Sequence, residues 1–299
     1  MRAVITGASG FIGRALLSQL GPDRAVGTYH GKQGAGLVHF DAVQHTFADL
    51  KRSLDGEVSH VFLTHGAVNP ELCARDPVGT AKVNVESVTR LLAEIMAAGA
   101  TPIYLSTDYV FDGSSSLRRE DEPQAPNTEY GRQKAAVERW LQSRTEPWLV
   151  ARLSKVVSGD RDIHSVLGQW VNDICAGKAM RSATDQFFSP AHVEDIAGAL
   201  IALAGQGLTG IYHVAGPDRI SRYDLNKLLA GCIQSANPAI KANVEPCSLR
   251  EIPFLERRPL DTSILIEKLQ RAINWPIRSM AQVCREIAEA EFKERSTHN

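Results

Sequence analysis

"AVITGASGFIG", residues 3–13, decides the fold. Ala3–Thr6 reads as a short buried strand, and "FIGRALLSQL" (11–20) reads as an amphipathic helix. Between and into them run Gly7, Gly10 and Gly13, a G-x-x-G-x-x-G pattern. In a strand–turn–helix context the three glycines allow a tight turn, close approach of backbone to a pyrophosphate, and tight packing of helix on strand. The unpaired N–H groups where the helix starts, around Gly10, Phe11 and Ile12, then point at the phosphates. A glycine triplet alone is weak evidence, and a ligand-free β–α turn is the competing reading.

Working outward, more short apolar runs follow: "RAVGTY" (24–29), "LVHF" (37–40), "HVFLT" (60–64), "PIYLS" (102–106) and "WLVARL" (148–153). Strands that are apolar nearly throughout suit a parallel sheet covered on both faces. Amphipathic stretches alternate with them. In "VESVTRLLAEIMAAG" the apolar stripe is Val88, Leu91, Leu92, Ile95 and Met96, and Gly99 ends it. Strand–helix alternation with right-handed crossovers gives an α/β fold, a Rossmann-type doubly wound parallel sheet. Residues 1–155 form this dinucleotide-binding domain, and 156–299 form a smaller α/β substrate-binding lobe. "PAHVEDIAGALIALAGQG" and the strand "GIYHVAG" suggest that the chain returns to the first domain around residues 190–215. Residues 294–299 read as frayed.

Bulk properties narrow the function. With 43% hydrophobic and 22% charged residues, a net charge of −1 leaves no electrostatic footprint for nucleic acid or an acidic membrane. No apolar run approaches the roughly 18 residues of a membrane span, and no signal peptide precedes the first strand. The five cysteines include no Cys-x-x-Cys and the nine histidines no His-x-x-x-His. That suits a reducing cytoplasm and argues against a metal site.

The end of the second strand bears on which dinucleotide binds. An NAD site usually has an acid there for the ribose 2′-hydroxyl. Here "GTYHGKQ" has none; Thr28 could bond a 2′-phosphate, and His30 and Lys32 could neutralise one. NADP(H) is therefore favoured over NAD(H), against the alternative of a solvated basic turn. Asp41 faces the adenine edge or is an exposed residue opening a helix.

"YGRQK" sets Tyr130 and Lys134 four apart, on one helix face. A phenol's pKa of about 10 is high for proton transfer, and a nearby ammonium with the positive nicotinamide ring would pull it down. "LSTDYVFDG" (105–113) ends a buried strand in Ser106, Thr107, Asp108 and Tyr109, four side chains that need partners.

"TGASGFIG", "STDYVFDG" and "EYGRQKAAVE" together resemble the extended short-chain dehydrogenase/reductases, above all the dTDP-4-dehydrorhamnose reductase group. The likeness extends through "DQFFSPAHVEDIAGAL", "GIYHVAGPDRISRYDL" and "RRPLDTSILIEKL". It implies NAD(P)H-dependent reduction of the 4-keto group of a nucleotide-linked 6-deoxyhexose, by a monomer or homodimer. In this reading Thr107 bonds the substrate carbonyl, Tyr130 gives the proton, and Lys134 holds the nicotinamide ribose and tunes Tyr130. Asn84 and Gly66 face the cofactor, Asp108 and Tyr109 lie beside the sugar, and Gln186 and Arg258 grip the nucleotide-sugar. Dehydratases of the superfamily carry Asp-Glu after the threonine; Asp108-Tyr109 favours plain reduction. A 4-epimerase is the alternative enzyme. A non-catalytic nucleotide-binding protein is the other alternative, since the regulatory β subunit of methionine adenosyltransferase has a similar signature. Two departures stand out. "THGA" (64–67) replaces the family's usual Asn-Ala-Ala-Ala, leaving His65 to pack or to face the cofactor. Lys155 stands where the reductases often have Trp, making that part of the substrate face cationic.

Overall fold

Six of the expected strands form in order: β1 (Ala3–Thr6), β2 (Ala25–Tyr29), β3 (Val38–His39), β4 (His60–Leu63), β5 (Thr101–Thr107) and β6 (Leu149–Leu153). This computed structural model describes residues 2–54, 56–160 and 165–296. The Gly210–Val214 strand pairs in parallel with β6 and completes a seven-stranded sheet, ordered Gly210–Val214, β6, β5, β4, β1, β2, β3. Every pairing in it is parallel. Strand order reverses between β1 and β4, which opens a crevice at their carboxyl ends, the place where such sheets bind ligands.

Helices cover both faces. On one side α1 (Phe11–Leu20) and the Val193–Gly205 helix pack Leu16, Leu20, Ile196 and Leu200 against Ile5, Ile103 and Ala151. On the other, α2 (Phe47–Arg52), α5 (Ser87–Ala97) and α6 (Glu129–Gln142) bury Phe47, Leu91, Leu92, Ile95 and Leu141 against Val4, Val61 and Val150. Each fully buried Leu or Ile contributes about 1.5–3 kcal/mol. Short helices α3 (Pro70–Arg75) and α4 (Pro77–Ala81) follow β4, and a π turn at Lys82–Glu86 joins α4 to α5.

The lobe has its own core. The Val166–Cys175, Arg222–Ala236 and Met280–Ser296 helices enclose Trp170, Ile174, Leu225, Leu229, Ile233 and Val283. Parallel strands Ala179–Ala183 and Asn243–Cys247 flank it. Late in the chain, Ile264, Ile266, Leu269 and Ile273 pack into the sheet's core rather than the lobe's. The final helix runs to Ser296, and 297–299 lie outside the described residues.

Candidate functional site

A cavity of about 720 Å³ fills the crevice between the sheet's carboxyl edge and the lobe. The glycine turn forms one end. Gly7 has φ +75°, and a Cβ there would meet the His65 backbone at 3.1 Å. A Cβ at Gly13 would meet Gly7 O at 2.5 Å, so α1 can press on β1 only as glycine. Gly10 caps α1 without a side-chain bond, and the first turn holds no acid. The N–H groups at Phe11 and Ile12 therefore face the cavity unclaimed by any capping side chain, and the helix dipole favours an anion there. This cradle fits a dinucleotide pyrophosphate. Gly66 lines the cavity too, with φ +149°.

Two expected cofactor contacts face inward instead. Thr28 is buried, and its hydroxyl accepts the Gly7 N–H at 3.1 Å; it shapes the turn and has no reach to a 2′-phosphate. Asn84 is buried in the π turn. Its amide accepts from Ala67 N (2.8 Å) and donates to Ala67 O (2.9 Å) and Gln133 Oε1 (2.8 Å). It braces the 64–67 loop against α6, with both amide hydrogens in use. Asp41 is outside the cavity lining; it accepts from Val43 N (2.8 Å) and pairs with His30 at 3.5 Å. Lys32 is exposed and also outside the lining, whereas His30 lines it.

Thr107 and Tyr130 meet at the inner end. Thr107 ends β5 and caps a short turn, Asp108–Val110. Tyr130 stands in the first turn of α6, which Thr128 caps through Gly131 N (3.2 Å). A Cβ at Gly131 would lie 2.1 Å from Tyr109 O, so this glycine lets α6 reach the turn at all. The Tyr130 phenol lies beside the Thr107 hydroxyl, and its ring meets Tyr109 edge-on at 6.0 Å. Lys134 is buried, donates to Leu105 O (2.8 Å) and lies 6.0 Å from the Tyr130 ring centroid. Burial holds its ammonium down, at about 8.

The expected lowering of Tyr130 is reversed. Burial pushes its phenol well above the ordinary value, and the Asp108 charge adds to that against the Thr107 hydroxyl. Desolvation of the phenolate outweighs the nearby ammonium. Asp108 likewise differs from an open sugar contact. It is 5% exposed, accepts from Thr107 (3.0 Å) and Ser154 (2.9 Å), and has the Thr262 hydroxyl nearby. Burial raises its carboxyl to about 6 despite these three hydroxyls.

The lobe end is cationic. Lys155 and Arg222 line the cavity with no hydrogen-bonded acceptor among the described residues, although Arg222 stacks on Trp170 at 5.1 Å. Burial and the Arg222 charge lower Lys155. Arg258 lines the cavity near the Tyr109 phenol while donating to Glu71 (2.9 Å); Gln186 lines it too. Among the described residues, Asp108 is the only acid in the lining.

Sequence reasoning missed Arg222 and Ser154. Ser154 follows β6 as Thr107 ends β5, a strand-end signal that was available; Arg222 opens a lobe helix and gave none. It also missed the buried brace under the site. Glu138 of α6 accepts from Arg152 Nη2 (2.8 Å), Gln124 (2.6 Å) and Ser106. His65 packs: its Nδ1 bonds Thr6 at 2.7 Å, and its Nε2 is buried in the cavity wall with no hydrogen-bond partner among the described residues.

The family described as RmlD substrate binding domain matches residues 1–291. The chain is 26% identical to dTDP-4-dehydrorhamnose reductase of Sinorhizobium fredii, covering 92% of this chain and 94% of that one. It is 27% identical to methionine adenosyltransferase 2 subunit beta of Xenopus tropicalis, covering 77% and 71%. A solved Bacillus anthracis dTDP-4-dehydrorhamnose reductase in complex with NADP shares the fold, with a TM-score of 0.79, 21% identity and coverage of 98% and 99%. Among the described residues no helix is long and apolar enough to cross a membrane, and no cluster could hold a metal ion.

Proposed function

The chain belongs to the RmlD substrate binding domain family, and on that premise we propose that it reduces the 4-keto group of a nucleotide-linked 6-deoxyhexose. The observation behind this reading is the Thr107–Tyr130 hydroxyl pair, with Lys134 beside it, between a dinucleotide cradle and a cationic lobe. Bound NAD(P)H supplies the hydride to the ketone carbon. Gly7, Gly10 and Gly13 with the start of α1 hold the pyrophosphate. The reading prefers NADP(H): His30 lines the cavity, Lys32 lies two residues on, and no carboxylate lines that end to claim both ribose hydroxyls.

Tyr130 is the proton donor. Its raised pKa keeps it protonated at neutral pH, as an acid must be before the step. Lys134, largely charged at that pH, stabilises the phenolate left behind. Arg222, Arg258 and Lys155 suit a diphosphate, the two arginines as planar forks. Tyr109, where a dehydratase would need a second acid, supports reduction over elimination. Replacing Tyr130 with Phe tests the assignment: turnover should fall by at least about a hundredfold while NADPH affinity stays near wild type. Wild-type rates in Tyr130→Phe would remove it from the acid role.

The likeness to a protein with no reductase name, methionine adenosyltransferase 2 subunit beta, supports one second reading: binding of nucleotide without turnover. That reading expects NADPH binding with no ketosugar reduced.

A further inference from the structure

A hydroxyl has one hydrogen and two lone pairs, and at Thr107 the hydrogen and one lone pair are in use. Its oxygen accepts the Tyr109 N–H at 3.2 Å. Its hydrogen goes to Asp108 Oδ1 at 3.0 Å. With Asp108 ionised, the carboxylate can only accept, so the Thr107 hydrogen is fixed on it. The hydroxyl assigned to bond the ketone is thus turned toward protein.

One proton reverses this. A protonated Oδ1 donates to Thr107, and that bond with the Tyr109 N–H fills both lone pairs. The Thr107 hydrogen is freed to point into the cavity. The second oxygen, Oδ2, keeps its bond from Ser154 at 2.9 Å in either state, so the carboxyl group stays in place while its hydrogen changes. We propose that Asp108 is a positioning residue whose proton turns the Thr107 hydrogen from Asp108 toward the substrate oxygen. This rests on the reductase reading for its catalytic consequence, but the hydrogen-bond switch itself does not.

The surroundings allow such a proton. Asp108 is buried at 5% exposure, and burial lifts its carboxyl to about 6. Lys155, beyond β6, opposes the rise; the Tyr130 and Tyr109 phenols face it, and Arg222 and Arg258 lie across the same cavity.

The test is the pH profile of kcat/KM for the ketosugar at saturating NADPH. The wild type should lose rate as pH rises above about 6, by about fifteenfold between pH 6 and pH 7.5 for a single group of that pKa. Asp108→Asn mimics the protonated acid, its amide donating to Thr107 and its oxygen accepting from Ser154. Its rate should change less than about twofold over that span. Ser154→Ala removes a bond to the charged form and should move the limb to higher pH. A flat wild-type profile, or a limb that persists unchanged in both variants, overturns the proposal. A second readout needs no turnover: the carboxyl carbon-13 signal of Asp108 in aspartate-labelled protein. It should titrate near 6, and Thr107→Val should shift that titration upward. A titration at the ordinary value near 4, or one that Thr107→Val leaves in place, sinks the switch. If the signal behaves as expected but no ketosugar is reduced, the reductase reading fails and the switch stands.

Discussion

Glu138→Leu should be among the most damaging single changes in this chain. Glu138 and Arg152 are 0% and 1% exposed, with Arg152 Nε and Nη2 at 3.0 and 2.8 Å from Glu138 Oε2. Gln124 and Ser106 supply two further donors, so the carboxylate is fully satisfied only in this arrangement. Removing it leaves a guanidinium buried beside Phe111 with only a backbone oxygen, Glu120 O at 3.2 Å, and the His213 ring as partners. Breaking a buried pair on one side costs about 3–5 kcal/mol. Against a typical total of about 5–15 kcal/mol, that is a large share. At roughly 2–4 °C per kcal/mol for large domains, the melting temperature should fall by about 6–20 °C. Urea denaturation measures it directly. The double variant Glu138→Leu with Arg152→Met removes both charges and should recover most of the loss, because two apolar side chains of similar volume fill the space. The local effect should exceed the global one. Glu138 lies two turns along α6 from Tyr130 and bonds the residue before Thr107, so the brace also holds the two reacting hydroxyls together. A loss under about 1 kcal/mol for Glu138→Leu, or a double variant as unstable as the single, would refute this account of the pair.

Other perturbations have equally definite outcomes. Gly13→Ala places a Cβ 2.5 Å from Gly7 O and 2.7 Å from the Ala8 Cα, so α1 must lift off the turn; NADPH affinity by fluorescence titration should drop at least about tenfold, or about 1.4 kcal/mol. Acid should destabilise the fold before ordinary carboxylates titrate. Burial holds His65 at about 4 and His213 at about 3, so the unfolded chain takes up their protons first as pH falls below about 6.5. Asp108, raised to about 6, works the other way, and the net loss from pH 7 to pH 5 should be roughly 2–4 kcal/mol by chemical denaturation at each pH; unchanged stability over that range would contradict the burial argument. Glu71→Gln should release Arg258 from its 2.9 Å pair, lowering KM for the nucleotide-sugar about threefold or more while shifting stability by less than about 1 kcal/mol, since the pair is partly exposed to solvent.

How much of this was legible in the sequence depends on range. Strand β1, the glycine turn and α1 are contiguous, and local pattern was enough to place them. The six early strands were apolar throughout because both faces of the sheet are covered, and that signal survives in any window of the chain. Long-range pairing leaves no such trace. Nothing in "GIYHVAG" says that it docks on β6, and nothing near Ile264 or Leu269 says that they enter the sheet's core and not the lobe's. The site shows the same division. Tyr130 and Lys134 share a helix face by spacing alone. Thr28 and Asn84 were polar residues at the right places in the chain, but each side chain turned inward to a backbone that only the folded structure brings near. The Tyr130 pKa went the other way for a related reason. Sequence shows the neighbouring charge on Lys134 but not the depth of burial, and here burial is the larger effect.

The claim that matters most is turnover. NADPH absorbance should be followed with wild-type protein and a panel of nucleotide-linked 4-keto-6-deoxyhexoses, including dTDP-4-keto-6-deoxyglucose and its epimers. The account predicts NADPH consumption stoichiometric with ketone for at least one member, and none in Tyr130→Phe. NADPH bound tightly, with every ketosugar left unreduced, would contradict it.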